Sequence, residues 1–319
     1  MDESYRELLI KQQYRLYKDH AAVKLCHWMK ESMIHGRHCY KQDFYGIESH
    51  RCLQMTPAIN ECSHCCSFCW RVQERDFEVR DWAEPKEMLD ALIAHHRLLI
   101  SGFKGDPRCS KQMFEEASDP NQVAISLAGE PITYPYLSDL IKECHRRKMT
   151  TFLVTNGTYP DQLGSLDELP MQLYVTIAAP NEEIYKKVCR PKINDGWGRL
   201  MKTLDLLPSI DTRTVIRHTL VKDLNFGWVD EYGKLDNRAD PDLIEPKGYV
   251  FVGASRQRLS LTSMPSFEEI RDFSSQLGDI VGMSIIRERP DSRVLLMAKE
   301  DLDADVRNTP RIRSRNRKI

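Results

Sequence analysis

The strongest constraint on this chain is an alternation. Six short runs of β-forming residues, CLQMTPAI (52–59), VAISLAG (123–129), TTFLVTNG (150–157), QLYVTIAAP (172–180), TRTVIRHTLV (212–221) and KGYVFVGAS (247–255), are set apart by longer segments. The segments 85–102, 136–148, 181–189 and 196–207 carry apolar residues at helical spacing, and a fifth, 267–278, follows the sixth run. Strands alternating with helices predict right-handed βαβ units and a parallel sheet. Six units are too few for a closed eight-stranded barrel, so the predicted fold class is α/β, a partial (βα)6 TIM-like barrel. Tyr5–Met33 predicts an N-terminal extension of one or two helices, and 35–47 reads as irregular. A terminal hairpin is expected within 283–299 as a C-terminal addition. Ligands in such folds gather at the C-terminal ends of the strands.

The stretch NECSHCCSFCW (60–70) begins just past the first predicted strand and holds four cysteines in eight residues. Cys62, Cys66 and Cys69 give C-x3-C-x2-C, while Cys62, Cys65 and Cys69 give C-x2-C-x3-C, and spacing alone leaves both open. Upstream, Cys26, Cys39 and Cys52 are separated by twelve residues each. Ten cysteines is a high count, and in a reducing compartment metal ligation or catalysis is a better use for them than disulfides. Three thiolates on one loop suit an iron–sulfur cluster with one open iron. The alternative is a zinc site completed by a distant His or Cys, since structural zinc usually takes four ligands. Cys109, Cys144 and Cys189 stand apart and read as buried thiols.

Composition sets the class of molecule. The 319 residues, 29% charged and 41% hydrophobic, can bury a sizeable core. No run approaches the roughly 18 apolar residues that cross a bilayer, and the charged start MDESYRELLIKQQYRLYKDH does not read as a secretory signal. A cytoplasmic enzyme, with no membrane partner, is expected. The net charge of −1 hides an asymmetry, because the tail RNTPRIRSRNRKI (307–319) has five Arg and one Lys and leaves −7 on residues 1–306. Such a tail either stays solvated or contacts nucleic-acid phosphates.

With an aromatic residue before its last cysteine, Cys62-x3-Cys66-x2-Cys69 resembles the signature of radical S-adenosylmethionine enzymes. That resemblance leaves Cys65 as a bystander. It implies a 4Fe–4S cluster on the three cysteines whose open iron chelates S-adenosylmethionine, with cleavage to a 5′-deoxyadenosyl radical. Ala128-Gly129-Glu130-Pro131 resembles the family's G-G-E motif, with Ala128 in place of the first glycine, and implies that Gly129 and Glu130 meet the cofactor's amino group. Asn156, at the third strand's end, is expected at the ribose, and Thr176 and Arg217 are further cofactor-binding candidates.

A narrower resemblance, to archaeal tRNA 4-demethylwyosine synthases, rests on the Cys26/Cys39/Cys52 spacing together with CSFCWR (66–71), SLAGEP, AAPNEEIYKKVCRP (178–191), RHTLVKDLN (217–225) and KGYVFVGASRQRL (247–259). Ser263, where that family's Asn is expected, and the extra thiol of Cys65 are departures. The resemblance implies a second 4Fe–4S cluster on Cys26, Cys39 and Cys52. It also implies condensation of pyruvate with N1-methylguanosine-37 in the anticodon loop of tRNA(Phe), giving the tricyclic 4-demethylwyosine base. Lys41, two residues after Cys39, is the candidate for a Schiff base with pyruvate; pyruvate chelation by the second cluster is the other route. Arg71, Arg75, Lys186, Lys187, Arg190, Lys192 and the tail are phosphate candidates. The domains implied are 1–51, bearing the second cluster, 52–300, the barrel, and 301–319, the tail. A monomer drawing on an external electron donor is expected. Two other functions fit the residues: a radical enzyme with an auxiliary cluster acting on a peptide or small metabolite, and a zinc-stabilised RNA-binding protein.

Overall fold

The computed structural model describes residues 1–73 and 75–299. The tail 301–319 lies outside the described residues. The chain divides into two compact units, one of residues 1–62, 75–154 and 166–171, the other of 63–73, 155–165 and 172–299 among those described.

In the first unit, α1 (Glu3–Lys11) opens on Asp2, whose side chain accepts from the Tyr5 amide, and buries Tyr5 and Leu9 one turn apart. The expected extension of one or two helices holds two, with strands between them. Between α1 and α2 (His27–His35) runs an antiparallel hairpin, β1 (Arg15–Tyr17) and β2 (Ala21–Val23), with Leu16 opposite Ala22. The segment expected to be irregular holds a short helix, α3 (Tyr40–Tyr45). The hairpin continues into the sheet, β2 pairing antiparallel with β3 (Cys52–Thr56) at Ala22↔Thr56. After α4 (Pro85–Ile100) and α5 (Lys111–Ala117), β3 pairs in parallel with β4 (Gln122–Ile125) at Leu53↔Val123. Beyond α6 (Leu137–Arg146), β4 pairs in parallel with β5 (Thr150–Thr155) at Val123↔Thr151. The crossover helix α4 buries Met88, Leu92, His96 and Ile100, a four-residue stripe that carries its packing.

The second unit contains α7 (Pro160–Gly164), β6 (Gln172–Thr176), α8 (Glu182–Cys189), α9 (Gly196–Leu206), β7 (Arg213–Leu220), α10 (Val229–Ala239) and β8 (Leu243–Gly248). It ends with α11 (Phe267–Val281), β9 (Ser284–Arg289) and β10 (Val294–Ala298). Strands β6, β7 and β8 are parallel, with Tyr174↔Val215 and Arg217↔Glu245 in register. The expected terminal hairpin is present: β10 pairs antiparallel with β9 and joins the sheet antiparallel to β8. The sixth strand, however, is LIEPKG rather than KGYVFVGAS. Leu243–Gly248 is almost wholly buried along β7, whereas Val250 and Val252 are exposed. No helix among the described residues is long and apolar enough to cross a membrane.

One buried histidine–carboxylate pair is built into this second core. His218 and Asp236 are both inaccessible; the His218 Nδ1 faces the Ile177 carbonyl at 2.9 Å and its Nε2 faces Asp236 Oδ2 at 2.9 Å. Burial pulls the imidazole pKa down, but the Asp236 charge and both hydrogen bonds outweigh it and hold the pKa above its ordinary value, while burial pushes the Asp236 carboxyl up against the pull of His218. Removing one partner strands a buried charge, so Asp236→Ala is expected to cost about 3–5 kcal/mol in urea unfolding. A loss below about 1 kcal/mol would show that the pair is not ionic.

Candidate functional site

The even spacing of the upstream cysteines has a structural reason. Cys26 is the N-cap of α2 and Cys39 the N-cap of α3, and each helix ends on a left-handed glycine, Gly36 and Gly46. Each twelve-residue gap therefore holds one short helix and its exit, with a further 3-10 turn at Ser49–Arg51 before Cys52 opens β3. Neither cysteine side chain caps its own helix by a hydrogen bond. The Cys39 amide donates to Ser49 Oγ at 3.0 Å, and the Ser49 amide to Gln42 Oε1 at 3.0 Å, pinning the turn.

These thiols share one neighbourhood. Burial first, then the charges of Cys26 and Cys39, push the Cys52 thiol up to about 12, while Lys41 pulls it down. The Lys41 Nζ lies 4.8 Å from the centre of the Phe152 ring, and Phe152 is itself buried edge-on to Tyr45. A Cys52 thiol that resists ionisation beside Cys26 and Cys39 belongs to a donor set that a soft, multiply charged iron centre would relieve. The residues fit a cluster with three cysteine ligands, with Lys41 beside it on an aromatic floor.

The second cysteine set lies on the loop between β3 and α4. Cys62 is half-buried, next to Glu61, whose carbonyl accepts from the Glu130 amide at 2.9 Å. Gly129, at φ 71, approaches that loop so closely that a Cβ there would sit 1.7 Å from the Ala58 carbonyl oxygen. Glycine is required at this position by backbone against backbone as well as by any ligand. Thr56 Oγ1 donates to the Ala128 carbonyl at 2.6 Å, and Glu130 is buried.

Cys66 and Cys69 follow in the second unit, both half-buried. The Cys66 thiol is pushed well above its ordinary value by its hydrogen bond with Cys189, then by burial and the charges of Cys189 and Cys69, against the pull of Arg71. Cys189, which the sequence presents as an isolated buried thiol, is buried but not isolated: its ligand atom lies within 4.8 Å of those of Cys66 and His64. His64 bonds the Tyr185 hydroxyl at 2.6 Å, and burial holds its pKa down at about 3, leaving it neutral. Cys65 is buried, its amide donating to the Cys189 carbonyl at 3.0 Å. Nothing in the linear order joins residue 66 to 189, which is why spacing does not reveal the contact.

The strand-end candidates divide. Asn156 donates through Nδ2 to Ser63 Oγ at 2.8 Å and accepts from the Thr158 amide at 3.0 Å, so its amide braces the residue after Cys62. Thr176 is half-buried at the end of β6. Arg217 donates to buried Glu245 at 2.6 Å and lies over the Tyr174 ring at 4.4 Å. Among the phosphate candidates, Lys186 and Lys187 pair within α8 with Glu182 and Glu183, and Arg75 lies 3.9 Å from Asp2. Arg190 and Lys192 are exposed and Arg71 is half-buried. Ser263 belongs to a capping box with Ser260.

Gly129→Ala combines a left-handed backbone, unfavourable by about 1–2 kcal/mol for any other residue, with overpacking of similar size. Its thermal and urea stability is expected to fall by about 2–4 kcal/mol on those grounds. Stability equal to the parent's would contradict the close approach.

The Radical SAM superfamily model matches residues 56–235, and the Wyosine base formation model residues 238–299. The S-adenosyl-L-methionine-dependent tRNA 4-demethylwyosine synthase of Pyrococcus abyssi (strain GE5 / Orsay) is 47% identical over 310 residues, 95% of this chain and 91% of its own. The synthase of that name from Methanocaldococcus jannaschii is 38% identical over 307 residues, 94% and 97% of the two chains. Among solved structures, "Structure of TYW1 with a lysine-pyruvate adduct bound" superposes with a TM-score of 0.88 at 36% identity, covering 96% of this chain and 99% of that one.

Proposed function

Because the chain belongs to the radical SAM superfamily, with its α/β fold, and within it to the tRNA 4-demethylwyosine synthases, we propose that it condenses pyruvate with N1-methylguanosine-37 of tRNA(Phe) to form the 4-demethylwyosine base. The observation that carries this reading is the gathering of Cys26, Cys39, Cys52 and Lys41 in one neighbourhood, apart in sequence from the Cys62/Cys66/Cys69 loop. Each set would hold a 4Fe–4S cluster through three thiolates. When bound, the Cys62/Cys66/Cys69 cluster and S-adenosylmethionine supply one-electron reductive cleavage and hydrogen-atom abstraction from the N1-methyl group.

The chain's own residues do the rest. Gly129 lets the β4 end approach the loop that leads to Cys62, and Glu130 docks on Glu61 through its amide, presenting this corner to the cofactor's amino group. Asn156 holds Ser63, and with it the start of the loop, with the ribose side of the cofactor as its further contact. Thr176 and Arg217 are proposed as further cofactor contacts, Arg217 kept in one orientation by Glu245 and Tyr174. The Lys41 amine attacks the pyruvate ketone carbon and water leaves, giving a Schiff base that fixes the three-carbon unit beside the second cluster. Carbons two and three enter the new ring and carbon one leaves at the formate level. A lysine–pyruvate adduct in a structural neighbour at a TM-score of 0.88 supports Lys41 in this role.

The target base must leave the anticodon-loop stack to reach such a site, at a cost of a few kcal/mol. Arg71, Arg75, Lys186, Lys187, Arg190, Lys192 and the basic tail are proposed for the phosphates. The chain would work as a cytoplasmic monomer with an external electron donor. Residues 1–51 would form a domain supplying the second cluster, and 52–300 the barrel.

The test is incorporation of carbon-13-labelled pyruvate into a tRNA(Phe) transcript carrying N1-methylguanosine-37, read by nucleoside mass spectrometry. Two pyruvate carbons are expected in the product. Lys41→Arg is expected to abolish label while S-adenosylmethionine cleavage persists, and borohydride should trap pyruvate on the parent alone. Incorporation by Lys41→Arg at the parent's rate would remove the Schiff base, and a parent that cleaves S-adenosylmethionine without labelling tRNA would favour a peptide or metabolite substrate.

A further inference from the structure

The segment after β8 reaches back to the loop that carries Cys66 and Cys69, all within the second unit. It is a built turn. Tyr249 and Ser255, both inaccessible, bond hydroxyl to hydroxyl at 2.8 Å, and Ser255 Oγ donates to the Val252 carbonyl at 2.6 Å. The resulting 3-10 turn, Gly253–Gln257, ends on Arg258, whose amide donates to the Ser255 carbonyl at 2.9 Å.

Both ends of this turn grip the cysteine loop. The Ala254 amide donates to the Trp70 carbonyl at 2.7 Å, and Gly253, at φ 60, is so near that a Cβ would lie 2.3 Å from that oxygen. The Arg258 guanidinium donates through Nε to the Ser67 carbonyl at 3.1 Å and through a second nitrogen to the Cys69 carbonyl. On the loop itself, Gln73 Nε2 donates to the Cys66 carbonyl at 2.8 Å. A forked, permanently charged group thus caps two carbonyls of the loop, one of them on a cysteine proposed to bind iron, where a lysine could reach only one direction at a time. Arg258 lies in the region matched by the wyosine model, and Cys66 and Cys69 in the region matched by the radical SAM model.

We infer that Arg258 is a positioning residue for the iron–sulfur cluster of the Cys62/Cys66/Cys69 loop, fixing the loop's carbonyls and raising the cluster's reduction potential with its charge. The inference rests on the reading that this loop holds a 4Fe–4S cluster. Reduction adds one negative charge to the cluster, and a fixed cation close by stabilises the reduced form more than the oxidised one. Groups that hydrogen-bond a metal's ligands from outside orient them and tune the metal without touching it.

The test uses the full chain carrying Cys26→Ala/Cys39→Ala/Cys52→Ala, so that one cluster is read, with Arg258→Gln, Arg258→Lys and, as a control, Arg256→Gln. Arg256 lies over the Phe251 ring and is not among the groups capping the loop. Iron and sulfide content and an EPR-monitored redox titration are measured anaerobically. Arg258→Gln is expected to keep about four irons, the content of one such cluster, at a more negative midpoint potential. Arg258→Lys should recover most of the shift, and Arg256→Gln should match the background. An unshifted potential in Arg258→Gln overturns the inference. If Arg258→Gln holds no cluster, the lysine variant decides: a cluster at the background potential sustains the role of charge, while a shifted potential or a lost cluster leaves only loop packing and overturns it. A background chain that assembles no cluster overturns the reading of the loop itself, and the inference with it.

Discussion

Thiolates repel one another, and partial burial penalises each of them again, so three half-buried cysteines brought together by a fold are uncomfortable unless a cation sits among them. Cys52 feels this as a thiol pushed up to about 12 by burial and by Cys26 and Cys39. Local structure from α2 to β3 brings the three thiols together. Two short helices begin on cysteines and end on glycines, and a strand starts on the third. The same logic governs the β3–α4 loop, where Gly129 lets two backbones meet and Asn156 fixes Ser63.

The two cysteine sets are supported differently. Cys26, Cys39 and Cys52 stand on regular elements, and their positions follow from capping and strand register. Cys66 and Cys69 stand on an irregular loop, and irregular loops need external hydrogen bonds to hold a shape. The end of α8 supplies some, since the Val188 carbonyl accepts from the Ser67 amide at 2.8 Å and the Cys189 carbonyl from the Cys65 amide at 3.0 Å. The Gly253–Arg258 turn supplies others. Regions matched by two different family models therefore meet through backbone carbonyls near the cysteines.

Much of this was legible in the sequence. Five of the six strands, the main helices and the terminal hairpin follow from period and turn signals, because packing enforces those periods. The departures have physical causes. KGYVFVGAS has the better β propensity, but Leu243–Gly248 won the place beside β7 because Glu245 reaches Arg217 there, a pairing invisible to local propensity. The β1–β2 hairpin has three-residue strands, too short for any period to show. Helix α10, VDEYGKLDNRA, was hidden by its acids and by Gly233, whose missing Cβ leaves room for Ile280 of α11. At the site, cysteine spacing and short motifs pointed to ligands, yet the contacts of Cys66 with Cys189 and of Arg258 with Cys69 join residues more than a hundred positions apart. Only the tertiary fold creates them.

The central claim, that this chain carries two separate three-cysteine cluster sites, is tested most directly by counting. After anaerobic reconstitution, iron and acid-labile sulfide are measured on the parent chain and on the Cys26→Ala/Cys39→Ala/Cys52→Ala variant. Two 4Fe–4S clusters predict about eight irons per chain falling to about four. A parent that holds about four irons, or zinc alone, would contradict the second site and with it the basis for pyruvate chemistry beside Lys41.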